Sequence, residues 1–539
     1  MSKLLIGSFT LLTFAICMSN ISCVNCSTGN FGLINTADSD TIKVPSTMEL
    51  NPDTSFSSID VLEYKIDTFD TVSSGILTDY SDLYQTASGI LTFRNDIERT
   101  ANFLCGSKSD NMILKNQPDT IITEWVFNTN NGLSKTTYGT WGGGTGWTGQ
   151  PLYVNWPDSI FTQFKNSGAM RPNAGRQEVI ISSLCGYVYF IDFETGDSTR
   201  CAIDIHHPVK GTAMLDPTMN GLLYVGHGIT ANHDTPCGQV TINLKQNSVI
   251  DTYPVDKKAW RGWNAYDSSP IRIGQFVFRP GENGTIYKWL VSSSVPTLHS
   301  TLKYRVKGRG AAGFEASMSA WRNYGYINDN HGNIICFNLN TLQPIWRYDN
   351  HDDCDCTPIL SHESDGTFLY TGSEVDLSAN EGQCHFVKLN ALNGELVWEI
   401  STPSNKYSNK NKHFDGGYYA SPLLGRANCK DLIFANRVLN TNGQNGELVA
   451  FDKKTGREVY TTPLLHYAWS SPIGIESSDG KFTLLTGDTS GRMYLIDGIT
   501  GQILQVQQVG NNFESSPIIV GNHVIVGSRG TKIFKLRLE

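Results

Sequence analysis

Four carboxylates recur at one place in a repeating pattern of this chain. Eight apolar runs open near Pro151, Met214, Pro270, Met318, Pro358, Pro422, Pro472 and Pro517. Three positions before these openings stand Thr148, Gly211, Asp267, Glu315, Asp355, Tyr419, Trp469 and Glu514. Brought near one axis, Asp267, Glu315, Asp355 and Glu514 would repel and raise one another's pKa unless a cation, an arginine or hydrogen bonds compensate. Oxygen donors of this kind suit Ca²⁺ or Mg²⁺. The competing reading is structural, with each carboxylate bonding the backbone N–H groups of the Ser-Ser or Ala-Ser turn that follows it.

The segments leading into the openings carry further binding side chains: Trp147 after a Gly run, Arg261 and Trp263, Asp415, and His466 beside Tyr467. Aromatic faces offer stacking and Arg261 could grip an anion bidentately. The ligand-binding candidates are therefore Trp147, Arg261, Trp263, Asp267, Glu315, Asp355, Asp415, Tyr419, His466, Trp469 and Glu514. Asp267, Glu315, Asp355 and Glu514 are the candidate metal ligands, and no catalytic residue is assigned. The loop holding His227, His233, Asp234 and Cys237 has a composition commoner in solvated turns than in metal sites. Cys354-Asp-Cys356 lacks zinc-finger spacing and could instead pair with other cysteines. No Walker-type loop, H-E-x-x-H or G-x-S-x-G occurs.

Such loops need a rigid frame. From Leu91 onward short β-branched and aromatic runs alternate with Gly, Asp and Asn turns, the pattern of antiparallel meanders. In the clearest copy the strands are 472–475, 482–485, 493–496 and 503–509. Unit lengths of ~40–50 residues with four strands each are propeller blades. The last unit, from Ser516, supplies only three strands, and Glu124–Phe127 precedes the first blade with the look of a fourth. Pairing the two closes the ring and removes an open edge. The fold predicted is all-β: an eight-bladed β-propeller of four-stranded antiparallel blades, closed by an N-terminal strand that completes the C-terminal blade.

The turn-and-strand pieces Ala450–Tyr460, Leu389–Trp398 and Ile191–Gly196 resemble the Ala-x-Asp-x-x-Thr-Gly-x-x-x-Trp repeat of quinoprotein-like (PQQ-like) propellers. Phe93-Arg-Asn-Asp-Ile-Glu-Arg-Thr100 is similar to the Phe-Arg-Gly-x-x-x-x-Thr segment that often precedes them. The resemblance implies two kinds of function. One is a dehydrogenase of alcohols or sugars using pyrroloquinoline quinone (PQQ) and Ca²⁺, with Trp469 as a stacking platform. The other is a binding or scaffold protein, like the propeller lipoprotein of the outer-membrane assembly machinery. The vicinal Cys-Cys common in the dehydrogenases is absent, as is C-x-x-C-H, which excludes a covalently attached c-type haem. The reading is thus a non-dehydrogenase member. The repeated Thr-Gly is read as making a turn and the aromatic as packing between blades.

Charged residues are only 17% of the 539, against ~25% typically, which disfavours long charged helices. The net charge is −9, most of it in residues 27–90, where ten acids face two lysines. The near-neutral remainder offers no general basic field for nucleic acid. Lys3 followed by the apolar run Leu4–Ile16 reads as a signal peptide over 1–22, too short to span a bilayer. Residues 23–90 are expected as an acidic Ser/Thr-rich extension of weak order and 91–539 as the propeller. The expected location is outside the cytoplasm: periplasmic, outer-membrane-anchored through Cys17 or Cys23, or extracellular. The expected partners are a protein, peptide or carbohydrate met by a monomer. An oxidising compartment would permit disulfides among the twelve cysteines.

Overall fold

The computed structural model describes residues 47–539 apart from 70–74, 101–113, 131, 137–138, 147–148, 232, 255, 293–294, 378–380, 410–411 and 440–445. Eight antiparallel blades follow one another: residues 152–204, 214–254, 271–306, 319–349, 359–405, 423–464, 473–508, and finally 518–538 with Ile121–Asn128. Each of the eight openings read from the sequence lies within a residue or two of an innermost strand. The closing strand pairs antiparallel with Lys532–Leu538, from Ile121↔Leu538 to Asn128↔Lys532.

The repeat motif works as a latch between blades. Gly196, Gly394, Gly456 and Gly501 adopt φ of +77°, +78°, +72° and +72°, the left-handed conformation their turns require. Each lies against an aromatic ring of the preceding blade: Trp125, Trp346, Trp398 and Tyr460. A Cβ on Gly394 would sit 2.7 Å from the Trp346 ring. The same aromatics donate across the gap, Trp125 Nε1 to the Phe193 carbonyl at 2.9 Å and Trp398 Nε1 to the Lys453 carbonyl at 3.0 Å. The Asp of the motif holds the turn, as when Asp452 Oδ1 accepts from Thr455 N at 2.8 Å.

The ring is stoppered on its axis. Gly89–Ile90 adds to the innermost strand of the first blade, and residues 91–100 wind across the middle. Leu91, Ile97 and Glu98 carbonyls accept from Leu215, Ala320 and Leu360 of three further blades. Arg94 Nη2 donates to the Pro422 carbonyl, and Arg99 to the Met318, Phe93, Ser269 and Pro270 carbonyls. Asn95 has φ +60°. It stands where the resembled segment has Gly, and Asn is a residue type that tolerates this region.

Order reaches further toward the N-terminus than composition suggests. Leu62–Thr68 forms a fifth, outermost strand on the third blade, from Leu62↔Val306 to Thr68↔Ser300. Its acids pair with that blade's cations, Asp67 with Lys303 at 3.1 Å and Glu63 with Arg305 at 2.8 Å. Leu77, Tyr80 and Tyr84 are buried. The described part of residues 23–90 thus carries order that composition does not suggest, with Glu63 and Asp67 of its acids matched locally, which a net-charge count does not see.

The sequence left disulfides open, and among the described residues none forms. All eight described cysteines are free, seven of them buried and Cys201 exposed. Cys354 and Cys356 donate to the Asp352 and Ala420 carbonyls, each at 3.2 Å. Among these eight, native alkylation with iodoacetamide should modify Cys201 alone, read by peptide mapping. Equal labelling of Cys354 would show that the blades open freely. Cys17, Cys23, Cys26 and Cys105 lie outside the described residues. Asn283, in the N-glycosylation sequon Asn283-Gly-Thr285, is fully buried and donates to Tyr287 Oη.

Candidate functional site

The loops that enter the innermost strands meet over the stopper. Ser269 N donates to Ser317 Oγ, Ser317 N to Thr357 Oγ1, Ser421 N to Ser471 Oγ and Ser471 N to Ser516 Oγ, at 2.8–3.0 Å. The opening turns of the third, fourth, sixth and seventh blades are thus each tied to a hydroxyl of the next blade. Ser269 N and Ser317 N, amides that the competing reading would give to Asp267 and Glu315, are thereby used, so these two carboxylates do not cap them.

They gather instead into two adjoining triads. Asp267, Glu282 and Glu315 present oxygens within 4.8 Å of one another, as do Asp353, Asp355 and Glu374. Lys210 ion-pairs with Asp267, with its Nζ 3.6 Å from Glu282 Oε1 and 3.7 Å from Glu315 Oε2. A cavity of about 10 Å³ lies between Phe93 of the stopper and Asp267 and Glu315, room for about one water or one bare ion. The mouth is therefore a blind cup with Phe93 in its floor.

Six carboxylates against one lysine would leave a net charge of −5 if all ionised (−6 + 1). The cup resists that. Burial, then the neighbouring carboxylates, push Glu282, Asp353, Asp355 and Glu374 well above the usual carboxylate range. Burial likewise raises Asp267, and Lys210 opposes it, leaving a value of about 6. Burial would strip the proton from Lys210, but Asp267, Glu282 and Glu315 outweigh it and keep it a cation. Asp353 and Asp355 each keep an edge open to solvent, yet their Oδ1 atoms are closed off without a hydrogen-bond donor among the described residues. Such an acceptor costs about 1–3 kcal/mol.

Of the expected site residues, Asp267, Glu315 and Asp355 meet here. Asp415 lies 3.7 Å from Lys406, and its charge reaches Glu374. Tyr419 joins Glu374 to an aromatic patch: its ring lies 4.8 Å from Trp469, which lies 5.2 Å from Tyr467. Glu514 is set apart, ion-paired with Arg529 at 2.9 Å and accepting from Asn512. Arg261 spends Nη1 on the Glu282 carbonyl at 2.9 Å, while Trp263 and His466 are half-buried at the rim. Trp147 lies outside the described residues.

Sequence reasoning missed Lys210, Glu282, Asp353 and Glu374. Glu282 follows the Gly that ends its blade's second strand, and the same Gly-x position holds Asp488 in the seventh blade. Asp488 caps its own loop, accepting from Ser490 and Arg492 amides. Glu282 makes no such cap and turns to Lys210, so that position was the available signal.

Comparison with known proteins bears out the likeness to PQQ-like propellers. The family model described as outer membrane protein assembly factor BamB matches residues 444–537. No curated protein sequence matches. Among solved structures, a europium-containing methanol dehydrogenase is 12% identical with a TM-score of 0.57, over 84% of this chain and 99% of that one. The quinohemoprotein alcohol dehydrogenase from Comamonas testosteroni is 13% identical with a TM-score of 0.56, over 84% and 80%. BamB from Moraxella catarrhalis is 14% identical with a TM-score of 0.48, over 78% and 100%. At these identities the likeness speaks to the fold.

Proposed function

We propose that this chain is an exported binding propeller whose cup takes a hard cation of the Ca²⁺ type, and whose loop face holds a protein partner around it. The observation that carries the reading is the pair of carboxylate triads sharing one lysine. Oxygen-only donors with uncompensated buried acceptors are what a hard cation satisfies. The matched family's description, an outer-membrane assembly factor, supports a protein as the partner. The run Leu4–Ile16 supports export, and the burial of seven thiols would shield them in an oxidising compartment.

The quinone cofactor of the dehydrogenase reading fits poorly. It is a tricarboxylate, and the wall it would meet is itself acidic, with Lys210 already paired to Asp267. Trp469 is 7% exposed and packed by Tyr419 and Tyr467, so it offers no open face for stacking. No adjacent cysteines occur in the chain. We therefore derive no redox step.

The test is a thermal-shift and absorbance titration of the mature protein with Ca²⁺, with and without PQQ. Ca²⁺ alone is expected to raise the melting temperature, with about 2.7 kcal/mol of stabilisation at a hundredfold excess over Kd. PQQ is expected to leave no quinone spectrum on the protein. No response to Ca²⁺, or a protein-bound quinone with turnover of an alcohol, would overturn the proposal.

A further inference from the structure

A different set of residues, on the flank of the fourth and fifth blades, has the donors of a softer metal. His385 lies on the strand Glu381–Asn390 and Glu399 on its partner Leu396–Asn405. His385 pairs with Ser401 and Val387 with Glu399, so His385 and Glu399 are diagonal neighbours on one face of the sheet. His351 comes from the preceding blade, just past the strand Pro344–Asp349, with φ +72°. Its ring centroid lies 4.4 Å from that of His385. Three elements of two blades thus bring two imidazoles and a carboxylate together, with one donor atom of each within 4.8 Å of the others.

The distances suit a small ion. Glu399 Oε1 is 3.5 Å from His351 Nε2 and 2.5 Å from His385 Nδ1. In a tetrahedral site with Zn–N and Zn–O bonds of ~2.0–2.2 Å, donors stand about 3.3 Å apart. The His351 contact is already near that spacing, and the His385 hydrogen bond opens by under about 1 Å to admit the metal. Glu399 Oε2 accepts from Tyr348 Oη at 3.0 Å, an outer hydrogen bond of the kind that orients a ligating carboxylate. The His351 side chain is half exposed. His351 and Glu399 both line a cavity of about 670 Å³ walled by residues 54–58 and by Arg347 and Leu396.

We propose that His351, His385 and Glu399 form a binding site for a divalent transition metal of the Zn²⁺ type, three protein ligands with the remaining position open to that cavity. Two imidazoles and one carboxylate select borderline metals over Ca²⁺ and Mg²⁺. The site uses none of the cup's carboxylates and stands whether or not the cup binds Ca²⁺.

The test is calorimetric titration of chelator-treated full-length mature protein with Zn²⁺ in excess Ca²⁺, alongside the visible spectrum with Co²⁺. One Zn²⁺ per chain is expected, with a tetrahedral Co²⁺ spectrum. His351→Ala removes an exposed side chain and should lower affinity by about 100-fold or more, beyond the ~10–100-fold typical of losing an outer partner. Tyr348→Phe should cost within that outer-partner range, and Asp355→Asn should leave Zn²⁺ binding unchanged. Unaltered affinity in His351→Ala, or loss in Asp355→Asn alone, would overturn the assignment.

Discussion

Arg99→Leu is expected to destabilise the ring by on the order of 4 kcal/mol, read as a lower urea midpoint at unchanged m. The guanidinium is fully buried at the axis, and burial lowers its pKa to about 10, which leaves it a cation at neutral pH. Its Nε donates to the Met318 carbonyl at 2.8 Å and its Nη1 to the Phe93 carbonyl at 2.6 Å and Thr92 Oγ1 at 3.0 Å. Nη2 reaches the Ser269 and Pro270 carbonyls. Hydrogen bonds to a charged group contribute about 1.5–3 kcal/mol each, less than additively when one group makes several. Leucine fills part of the volume but leaves those acceptors dry. Arg99→Lys should recover only a fraction, because one ammonium cannot span the fork. A loss below about 1 kcal/mol for Arg99→Leu would mean that the stopper is passive filling.

The second large effect has the opposite sign. Asp355→Asn should stabilise the cation-free protein at pH 8 by about 2 kcal/mol, the scale of relieving a buried acceptor beside like charges. The pH dependence follows from the raised carboxylates. A group whose folded pKa lies above its unfolded value contributes stability below the unfolded value and loses it as pH rises through the folded one. For Asp267 that window runs from the ordinary 3.8 to about 6, and Asp353, Asp355, Glu282 and Glu374 extend it upward. Wild type in chelator should therefore lose stability from pH 4 through neutrality, and Ca²⁺ should restore it. Asp355→Asn should flatten the loss and weaken the Ca²⁺ response. A chelated wild type with stability flat from pH 5 to 8 would contradict the charge accounting of the cup.

Much of the frame was legible in the sequence. The blade openings follow from period, and the Thr-Gly and Trp positions follow from turn chemistry, because both are local and repeated. The ring closure was legible because a last blade with three strands demands a fourth. The cup was half legible. Asp267, Glu315 and Asp355 share one offset from their strands, which repetition exposes. Glu282 and Glu374 come from the far ends of second strands, and Lys210 from the loop between blades. Their meeting depends on how neighbouring blades are rotated about the axis, and no sequence spacing encodes that. Glu514 has the right offset and yet is neutralised by Arg529, a partner from its own blade. Residues 93–100 were recognised as a motif, but that they cross the axis depends on which backbone donors and acceptors the surrounding blades leave unpaired.

The stopper and the closing strand lie at opposite ends of a timetable. A ribosome makes residues 89–100 before the first blade is complete, and Lys532–Leu538 after every other blade strand. The partners of the stopper then emerge in order: the first blade pairs Gly89–Ile90, the second offers the Leu215 N–H, the third and fourth the Pro270 and Met318 carbonyls, and the sixth the Pro422 carbonyl. An early segment can thus collect each new blade as it is synthesised, acting as a spindle on which the ring is wound. Until the final strand arrives, Ile121–Asn128 and the newest blade are both bare sheet edges, the state most exposed to mispairing with other chains. Holding a growing arc on its spindle shortens the search each edge must make, and delays only the last join.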